Sequence, residues 1–328
     1  MLRDSEVDVI FAGEVFCDLV FGGTPHLPTP GSEVYADRFA VSAGGTATRC
    51  VAAARLGLRT GLFGILGTDM FGDRVAAELG AVDGLDLRWL RRDPAVHTPI
   101  TVAVANEHDR AFITYEEKGS RLPETWHGPL PRVGALHLGI DRPLPDWVRE
   151  LRAQGTVVVG GVAWDPTGLW SSELLTRLSE VDLFVPNAVE AMSYTRTGTV
   201  EEAAKVLADF VPQVVVTDGK DGAVAVDSAT GDVVRSASPS VEVADPTGAG
   251  DVFTAAYIHA VLKGWPLAAR LRFAGICAAV SVRTLGGASS APTWADIRTF
   301  AAATPGVSDQ DRALIETAMP RTTLREKS

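Results

Sequence analysis

Residues 243–253, Val243-Ala-Asp-Pro-Thr-Gly-Ala-Gly-Asp-Val-Phe253, lead from a strand-like run into a predicted helix over about Ala249 to Leu262. Gly248 and Gly250 leave backbone N–H groups uncovered where that helix begins. These unpaired donors and the helix dipole both favour a bound anion. The segment therefore predicts a phosphate-binding helix N-terminus.

Asp251 lies in the first turn of this predicted helix, and its carboxylate allows two roles. It can cap the helix. Beside a phosphate, a second negative charge is unfavourable unless it accepts the proton of an attacking hydroxyl while the N–H groups stabilise the transferring phosphoryl group. Local physics leaves capping and catalysis equally open.

Two other nucleotide motifs are poorly matched. The chain contains no GxxxxGK[ST] sequence, which argues against a P-loop. Gly248-Ala-Gly250 begins like GxGxxG, but Phe253 holds the third glycine position and the segment comes late in the chain. A dinucleotide-binding dehydrogenase is therefore a distant alternative.

Outward from this segment, short apolar runs alternate with helical segments. Continuous apolar strands between helices are typical of a parallel sheet covered on both faces, so we expect an α/β fold with three α/β/α layers. The predicted strands are Val7–Ala12, Thr60–Leu66, Ala135–Leu138, Thr156–Val159, Leu183–Val185, Val214–Thr217, Ala223–Asp227 and Asp232–Ser236. The predicted helices before residue 249 are Ala47–Leu56, Phe71–Leu79, Pro145–Ala153, Ser172–Leu178, Ala188–Tyr194 and Val200–Asp209.

Two regions alternate polar and apolar residues as half-exposed strands do. The first pairs Phe16–Phe21 with Val34–Val41, and the second pairs Thr101–Ala105 with Ala111–Tyr115 through a turn at Asn106–Arg110. We expect them to meet in space as a small antiparallel sheet projecting from the main domain.

Composition limits the partners. The 328 residues carry 41 acidic and 30 Lys/Arg side chains, a net charge of −11, which argues against broad binding to nucleic acid or anionic membranes. The odd number and wide spacing of the three cysteines argue against a disulfide scaffold or a zinc module. The N-terminus is unlike a signal peptide and apolar runs are too short to span a bilayer, so we expect a cytoplasmic protein.

Several sequence motifs, in a fixed order along the chain, resemble those of the PfkB/ribokinase family of carbohydrate kinases. Residues 245–253 resemble its C-terminal signature, D-T-x-G-A-G-D-x-F, and Gly44-Gly45 before a helix ending Ala54-Arg-Leu-Gly57 resembles its N-terminal signature. Further matches are Gly13-Glu14 with Asp18, then Gly64, Gly67, Asp69 and Gly72, then Pro186-Asn187 with Glu190, then Thr217-Asp-Gly219-Lys-Asp-Gly222.

The resemblance implies a ribokinase-like fold and an ATP-dependent kinase acting on a hydroxyl of a sugar or sugar-like molecule. It implies a single kinase domain over residues 1–320, with lid strands from about 14–41 and 98–116, and a frayed tail at 321–328. Lid strands pair between subunits in some members, so a homodimer is an open expectation. The implied cofactors are ATP and Mg²⁺, with K⁺ as an option.

The resemblance also implies a role for each matched residue. The implied catalytic set is Asp251 as base, with Gly248, Ala249 and Gly250 as an anion hole. The implied acceptor-binding residues are Asp18, Gly44, Gly45 and Thr48, and the implied nucleotide-binding residues are Asn187, Thr217, Gly219 and Gly222.

The resemblance implies two cation sites, and at each of them the same residues could instead cap a helix or a turn. Asn187 and Glu190 are implied to organise Mg²⁺ largely through water, but the same pattern is a helix N-cap with a first-turn Glu. Asp245 and Thr247 are implied to hold a monovalent cation in some members, but Asp245 can equally cap a turn.

One departure from the family pattern concerns the acceptor. Thr48 stands where the family has Asn, with Arg49 next to it. Thr offers one hydroxyl where Asn offers a donor and an acceptor, so contacts to the acceptor are expected to change. This departure supports the alternative that the chain is a weakly catalytic sugar- or nucleotide-binding regulator, whereas the intact 248–251 segment favours the kinase.

Overall fold

The computed structural model describes residues 6–105, 110–117 and 124–320. The predicted turn lies outside these residues apart from Arg110, and the predicted frayed tail lies wholly outside them. The described strands are β1 (Val7–Ala12), β2 (Val15–Gly22), β3 (Arg38–Gly45), β4 (Thr60–Gly67), β5 (Leu85–Asp86), β6 (Leu90–Asp93), β7 (Ile100–Ala105), β8 (Arg110–Tyr115), β9 (Val133–Gly139), β10 (Val157–Gly161), β11 (Leu183–Phe184), β12 (Gln213–Thr217), β13 (Ala223–Asp227) and β14 (Asp232–Ser236). The described helices are α1 (Thr46–Arg55), α2 (Met70–Gly80), α3 (Asp146–Ala153), α4 (Glu173–Arg177), α5 (Ala188–Thr195), α6 (Val200–Ala208), α7 (Ala249–Leu262), α8 (Leu267–Ser281), α9 (Trp294–Ala303) and α10 (Asp309–Ala318).

The main sheet runs in the order β14-β13-β12-β11-β10-β9-β1-β4-β5, and β6 also pairs with β4. Its pairs are parallel except β12–β13 and β13–β14. The central strand β1 is buried along its whole length, which explains its continuous apolar sequence. The predicted, mostly parallel sheet is therefore confirmed.

Helices cover both faces of this sheet and enclose a separate core on each side. Val9 and Phe11 of β1 pack into a core with α1, α2 and α7–α10. Ile10 and Ala12 point the other way, into a core with α3–α6. The α/β/α layering expected from the sequence is thus confirmed.

The helix that follows the loop at residues 243–248 has the predicted bounds. α7 begins at Ala249 and ends at Leu262, and Gly264 beyond it has φ +71°. Almost every residue of α7 after its first turn is buried, so its sequence is apolar on all sides. This packing fixes the position of α7 and of its first turn.

A second sheet of four strands, in the order β3-β2-β7-β8, stands apart from the main sheet. Two details differ from the sequence prediction. The expected strand at Val34–Val41 begins only at Arg38 and continues through Gly45, because Gly44 and Gly45 pair with Phe16 and Val15. The sheet is also mixed, since β2 and β7 pair in parallel.

No helix among the described residues is long and apolar enough to cross a membrane.

Candidate active site

The start of α7 is held against two other segments. Gly248 has φ +80°, a left-handed conformation that glycine adopts without strain. A Cβ atom there would lie 3.0 Å from Cγ2 of Thr48 and 3.2 Å from Cα of Gly287. The close approach explains the small residues of this loop, and it brings the first turn of α7 against α1.

Asp251, in the first turn of α7, forms an ion pair with Arg49 of α1. Nη2 of Arg49 lies 2.7 Å from Oδ1 of Asp251, and the two side chains are 25% and 21% exposed. Burial raises the pKa of Asp251, and the charge of Arg49 acts against that rise. The carboxylate is therefore a group whose proton affinity is set by burial and by one cation.

No motif in the sequence indicated a role for Arg49. A signal was present, because long side chains on helices point towards the helix N-terminus, and Arg49 lies in the first turn of α1. The sequence did not reveal that Asp251, about two hundred residues later, would lie beside it.

Asp245 joins two loops, its own and the one that contains Gly286. Its Oδ1 accepts a hydrogen bond from the backbone N–H of Thr247 at 2.9 Å, and its Oδ2 accepts one from Gly286 at 2.9 Å. The residue is 1% exposed. This is the turn-capping role left open by the sequence, and the cation at Asp245 and Thr247 stays a prediction.

Four residues of the expected acceptor site lie together. Asp18 of β2 is buried, and a Cβ atom at Gly44 would lie 2.0 Å from its Oδ2, so only glycine fits opposite this carboxylate. A Cβ atom at Gly287 would lie 3.4 Å from Oγ1 of Thr48 and 3.6 Å from Oδ2 of Asp18. Gly45 ends β3 directly before α1.

The environment of Asp18 is strongly acidic. Burial and the nearby charges of Asp251, Asp245 and Glu78 raise the pKa of Asp18 to about 7. A carboxyl group poised near neutrality suits a site that exchanges hydrogen bonds with hydroxyl groups.

Asn187 and Glu190 form the N-terminus of α5. Oδ1 of Asn187 accepts from the backbone N–H of Glu190 at 2.9 Å, and Oε2 of Glu190 accepts from that of Asn187 at 2.8 Å. This capping box is the structural role that the sequence left open. The described residues contain no group of three acidic, His or Cys side chains able to hold a metal directly.

Two clefts meet at the start of α7. One is lined by Arg49, Asn187, Glu190, Gly248 and Asp251, among others. The second, which is more apolar, is lined by Gly219, Gly222 and residues of β14 and α8. Thr217 and Gly250 line both clefts. The residues expected to contact nucleotide and those expected to transfer phosphate are therefore continuous in space.

A comparison with known protein families agrees with this geometry. A family model described as pfkB family carbohydrate kinase matches residues 8–294. The chain belongs to the pfkB family of carbohydrate kinases. The resemblance drawn from the sequence is confirmed, and so is the assignment of the chain as a kinase that uses a sugar or nucleoside hydroxyl as acceptor.

Curated relatives of this pfkB family member include both sugar and nucleoside kinases. It is 26% identical over 298 residues to a ribokinase of Haemophilus influenzae, covering 86% of this chain and 94% of that protein. It is 24% identical over 276 residues to a cytidine kinase of Thermococcus kodakarensis, covering 80% and 91%. These relatives are named for two classes of acceptor, sugars and nucleosides, and so they do not identify the acceptor of this chain.

Solved structures show the same fold in other pfkB-like proteins. Arabidopsis thaliana ribokinase complexed with ribose and ATP superposes with a TM-score of 0.72 at 23% identity, over 90% of this chain and 98% of that one. A putative ribokinase II from E. coli in complex with ATP and Mg²⁺ gives 0.73 at 22% identity, over 90% and 98%. The ribokinase-like fold is thereby confirmed.

Proposed function

We propose that this chain transfers the γ-phosphoryl group of ATP to a hydroxyl of a sugar or sugar-like acceptor. The observation that carries the proposal is the position of Asp251. It lies at the start of α7, next to the N–H groups of Gly248, Ala249 and Gly250, in a cleft continuous with the one lined by Gly222.

Asp251 acts as the base in this proposal. The acceptor oxygen attacks the γ-phosphorus, and its proton passes to the Asp251 carboxylate. The new P–O bond forms while the bond to the β,γ-bridging oxygen breaks, and its electron pair leaves with ADP. The 248–250 N–H groups stabilise the charge on the transferring group.

The nucleotide occupies the apolar cleft in this proposal, with Thr217, Gly219 and Gly222 beside it. A Cβ atom at Gly222 would lie 1.9 Å from the backbone oxygen of Ser236, so the turn closes tightly on β14. Asn187 and Glu190 would hold Mg²⁺ through water, because both side chains already accept hydrogen bonds at the helix start and Mg²⁺ keeps much of its hydration shell. When bound, Mg²⁺ offsets phosphate charge.

Asp18, Gly44, Gly45 and Thr48 form the acceptor wall. The second sheet is the lid in this proposal. Its strand register places Asp18 opposite Thr101 and Thr101 opposite Thr114, so Asp18 lies on the face of the lid that also carries Phe112. Phe112 lines the cleft that contains Asp251. The lid therefore faces the reacting centre, where it excludes water during transfer.

Asp245 and Thr247 form the proposed site of a monovalent cation. Asp245 already accepts two backbone hydrogen bonds, and Thr247 donates one of them. K⁺ bound there would hold the anion-hole loop further in place. Turnover in K⁺ compared with turnover in a bulky organic cation tests this directly.

Replacing Asp251 with Asn tests the catalytic role. Asp251→Asn removes the proton acceptor but keeps size and polarity, so we expect turnover to fall by about a thousandfold or more while nucleotide still binds. Asp309→Asn, at the exposed start of α10, is the matched control and keeps full turnover. Wild-type turnover in Asp251→Asn would refute the base assignment.

The second candidate is a sugar- or nucleotide-binding regulator on the same fold. The observation that favours it is the ion pair of Asp251 with Arg49, which engages the base. A panel of sugars and nucleosides with Mg·ATP, assayed for ADP release, separates the two functions. Saturable binding of one acceptor with no ADP release from any would support the regulator.

A further inference from the structure

The guanidinium of Arg49 lines the cleft that contains Asp251, which we call the transfer cleft. The kinase mechanism proposed above assigns no role to this side chain. It pairs with Asp251, and it lines the same cleft as Asn187, Glu190 and Gly250. Among the described residues that line this cleft, it is the single Lys or Arg side chain. An anion that enters the cleft therefore meets one cationic side chain.

The pairing at rest leaves Arg49 incompletely satisfied. Its Nε is buried and has no hydrogen-bond partner in the described part of the chain. A guanidinium carries five N–H donors, and a buried donor without an acceptor is unfavourable. The side chain thus has a reason to reorganise when a further acceptor arrives within its reach.

The charge balance of the cleft points to a phosphoryl group as that acceptor. Two carboxylates, Glu190 and Asp251, line the cleft, so an entering phosphate is repelled unless a cation offsets them. Burial raises the pKa of Glu190, and the hydrogen bond from Asn187 and the charge of Arg49 oppose that rise. The field of Arg49 therefore reaches both carboxylates.

We propose that Arg49 binds oxygen atoms of the γ-phosphoryl group during transfer, giving up part of its pairing with Asp251 to do so. The planar fork of a guanidinium matches phosphate oxygens. As the acceptor P–O bond forms and the bridging bond breaks towards ADP, Arg49 stabilises the transferring group and the released carboxylate of Asp251 takes the acceptor proton. This inference rests on the proposed function.

Nucleotide binding tests it without any acceptor. The affinities of Mg²⁺ complexes of ADP and of a non-hydrolysable ATP analogue are measured by calorimetry for wild type, Arg49→Gln, Arg49→Lys and Arg149→Gln. Arg149 forms exposed ion pairs on α3 and is the control for losing one positive charge.

We expect Arg49→Gln to weaken the ATP analogue by about tenfold or more, the effect of a lost charge-assisted hydrogen bond, while ADP affinity changes by less than about twofold. Arg49→Lys keeps the charge without the fork and is expected to fall between. Arg149→Gln matches wild type with both nucleotides.

Equal weakening of both nucleotides, or no weakening of either, would overturn the assignment and leave Arg49 as a partner of Asp251 alone. If Arg49→Gln fails to fold, selective loss of the ATP analogue in Arg49→Lys decides the question. A wild-type chain that binds neither nucleotide would instead overturn the proposed function, on which this inference rests.

Discussion

At the scale of a single residue, burial changes the proton affinity of the Asp18 side chain. Burial and neighbouring carboxylates raise its pKa to about 7, far above that of an exposed aspartate. Between about pH 4 and 7 the folded chain therefore holds a proton that the unfolded chain has released. This group makes the free energy of unfolding fall as the pH rises through that range.

Asp18→Asn should remove this dependence, because Asn resembles the protonated carboxyl group. We expect the free energy of unfolding of the variant, relative to that of wild type, to be greater at pH 8 than at pH 5, as measured by urea unfolding at each pH. Asp309→Asn, at an exposed site, is the control. A stability difference between Asp18→Asn and wild type that is the same at both pH values would contradict the assignment.

The sequence predicted the position of individual residues where a single local rule applied. Gly248 and Asp251 lie at the predicted helix start, and Asp18, Gly44 and Thr48 lie close together, whereas the roles of all five residues stay predictions. Arg49 was missed because its importance comes from a contact between α1 and α7 that no local pattern encodes.

At the scale of elements, α5 and α9 offer a matched pair of helix starts. Both begin with a capping box, Asn187 with Glu190 in α5 and Thr293 with Asp296 in α9. The first lines the transfer cleft, whereas α9 begins outside the residues that line it.

Asn187→Ala and Thr293→Ala should each lower the free energy of unfolding by about 1 kcal/mol, since each removes an N-cap. We expect Asn187→Ala alone to raise the Mg²⁺ concentration required for half-maximal turnover. Titrations of Mg²⁺ at saturating ATP, alongside denaturant unfolding, separate the two effects. If the two variants need equal Mg²⁺, Asn187 is only a cap.

The bounds of elements were predicted unevenly. α7, β13 and β14 have the expected bounds, because glycine ends or turn residues flank each of them. β3 was misplaced by four residues, since two consecutive glycines suggest a turn and their place in a strand depends on pairing with β2. The short strands β5 and β6 lack an apolar pattern and were not predicted.

At the scale of the whole molecule, the edge strand β8 of the second sheet carries two exposed apolar side chains on one face. The strand register places Ile113 and Tyr115 on the face opposite Phe112. Ile113 is in line with Leu19 and Val41, which pack against the main core, so the exposed part of this face lies on β8. Ile113 is 73% exposed and Tyr115 is 53% exposed. We propose that this edge strand pairs with a second copy of the chain, because an exposed edge strand with apolar side chains favours association.

Ile113→Glu should therefore convert a dimer to a monomer in sedimentation experiments, since it places a charge in the apolar patch. Val233→Glu, at an exposed position of β14 on the far edge of the main sheet, is the control and keeps the dimer. A wild-type monomer at micromolar concentration would contradict the proposed dimer.

The overall fold was the most predictable level, because alternating apolar strands and helices allow few arrangements once a parallel sheet is inferred. The mixed pairing inside the lid was not predictable. β2 and β7 are far apart in sequence, and their parallel alignment depends on how both leave the main domain.

The two cores on either side of the main sheet have a consequence for how the enzyme tolerates mutation. Arg49 and Asp251 are carried by helices of one core, and Asn187 and Glu190 by a helix of the other. The relative placement of these four side chains therefore depends on the packing of both layers. In a deep mutational scan, positions that reduce turnover without unfolding the chain should be found in both cores, far from any ligand.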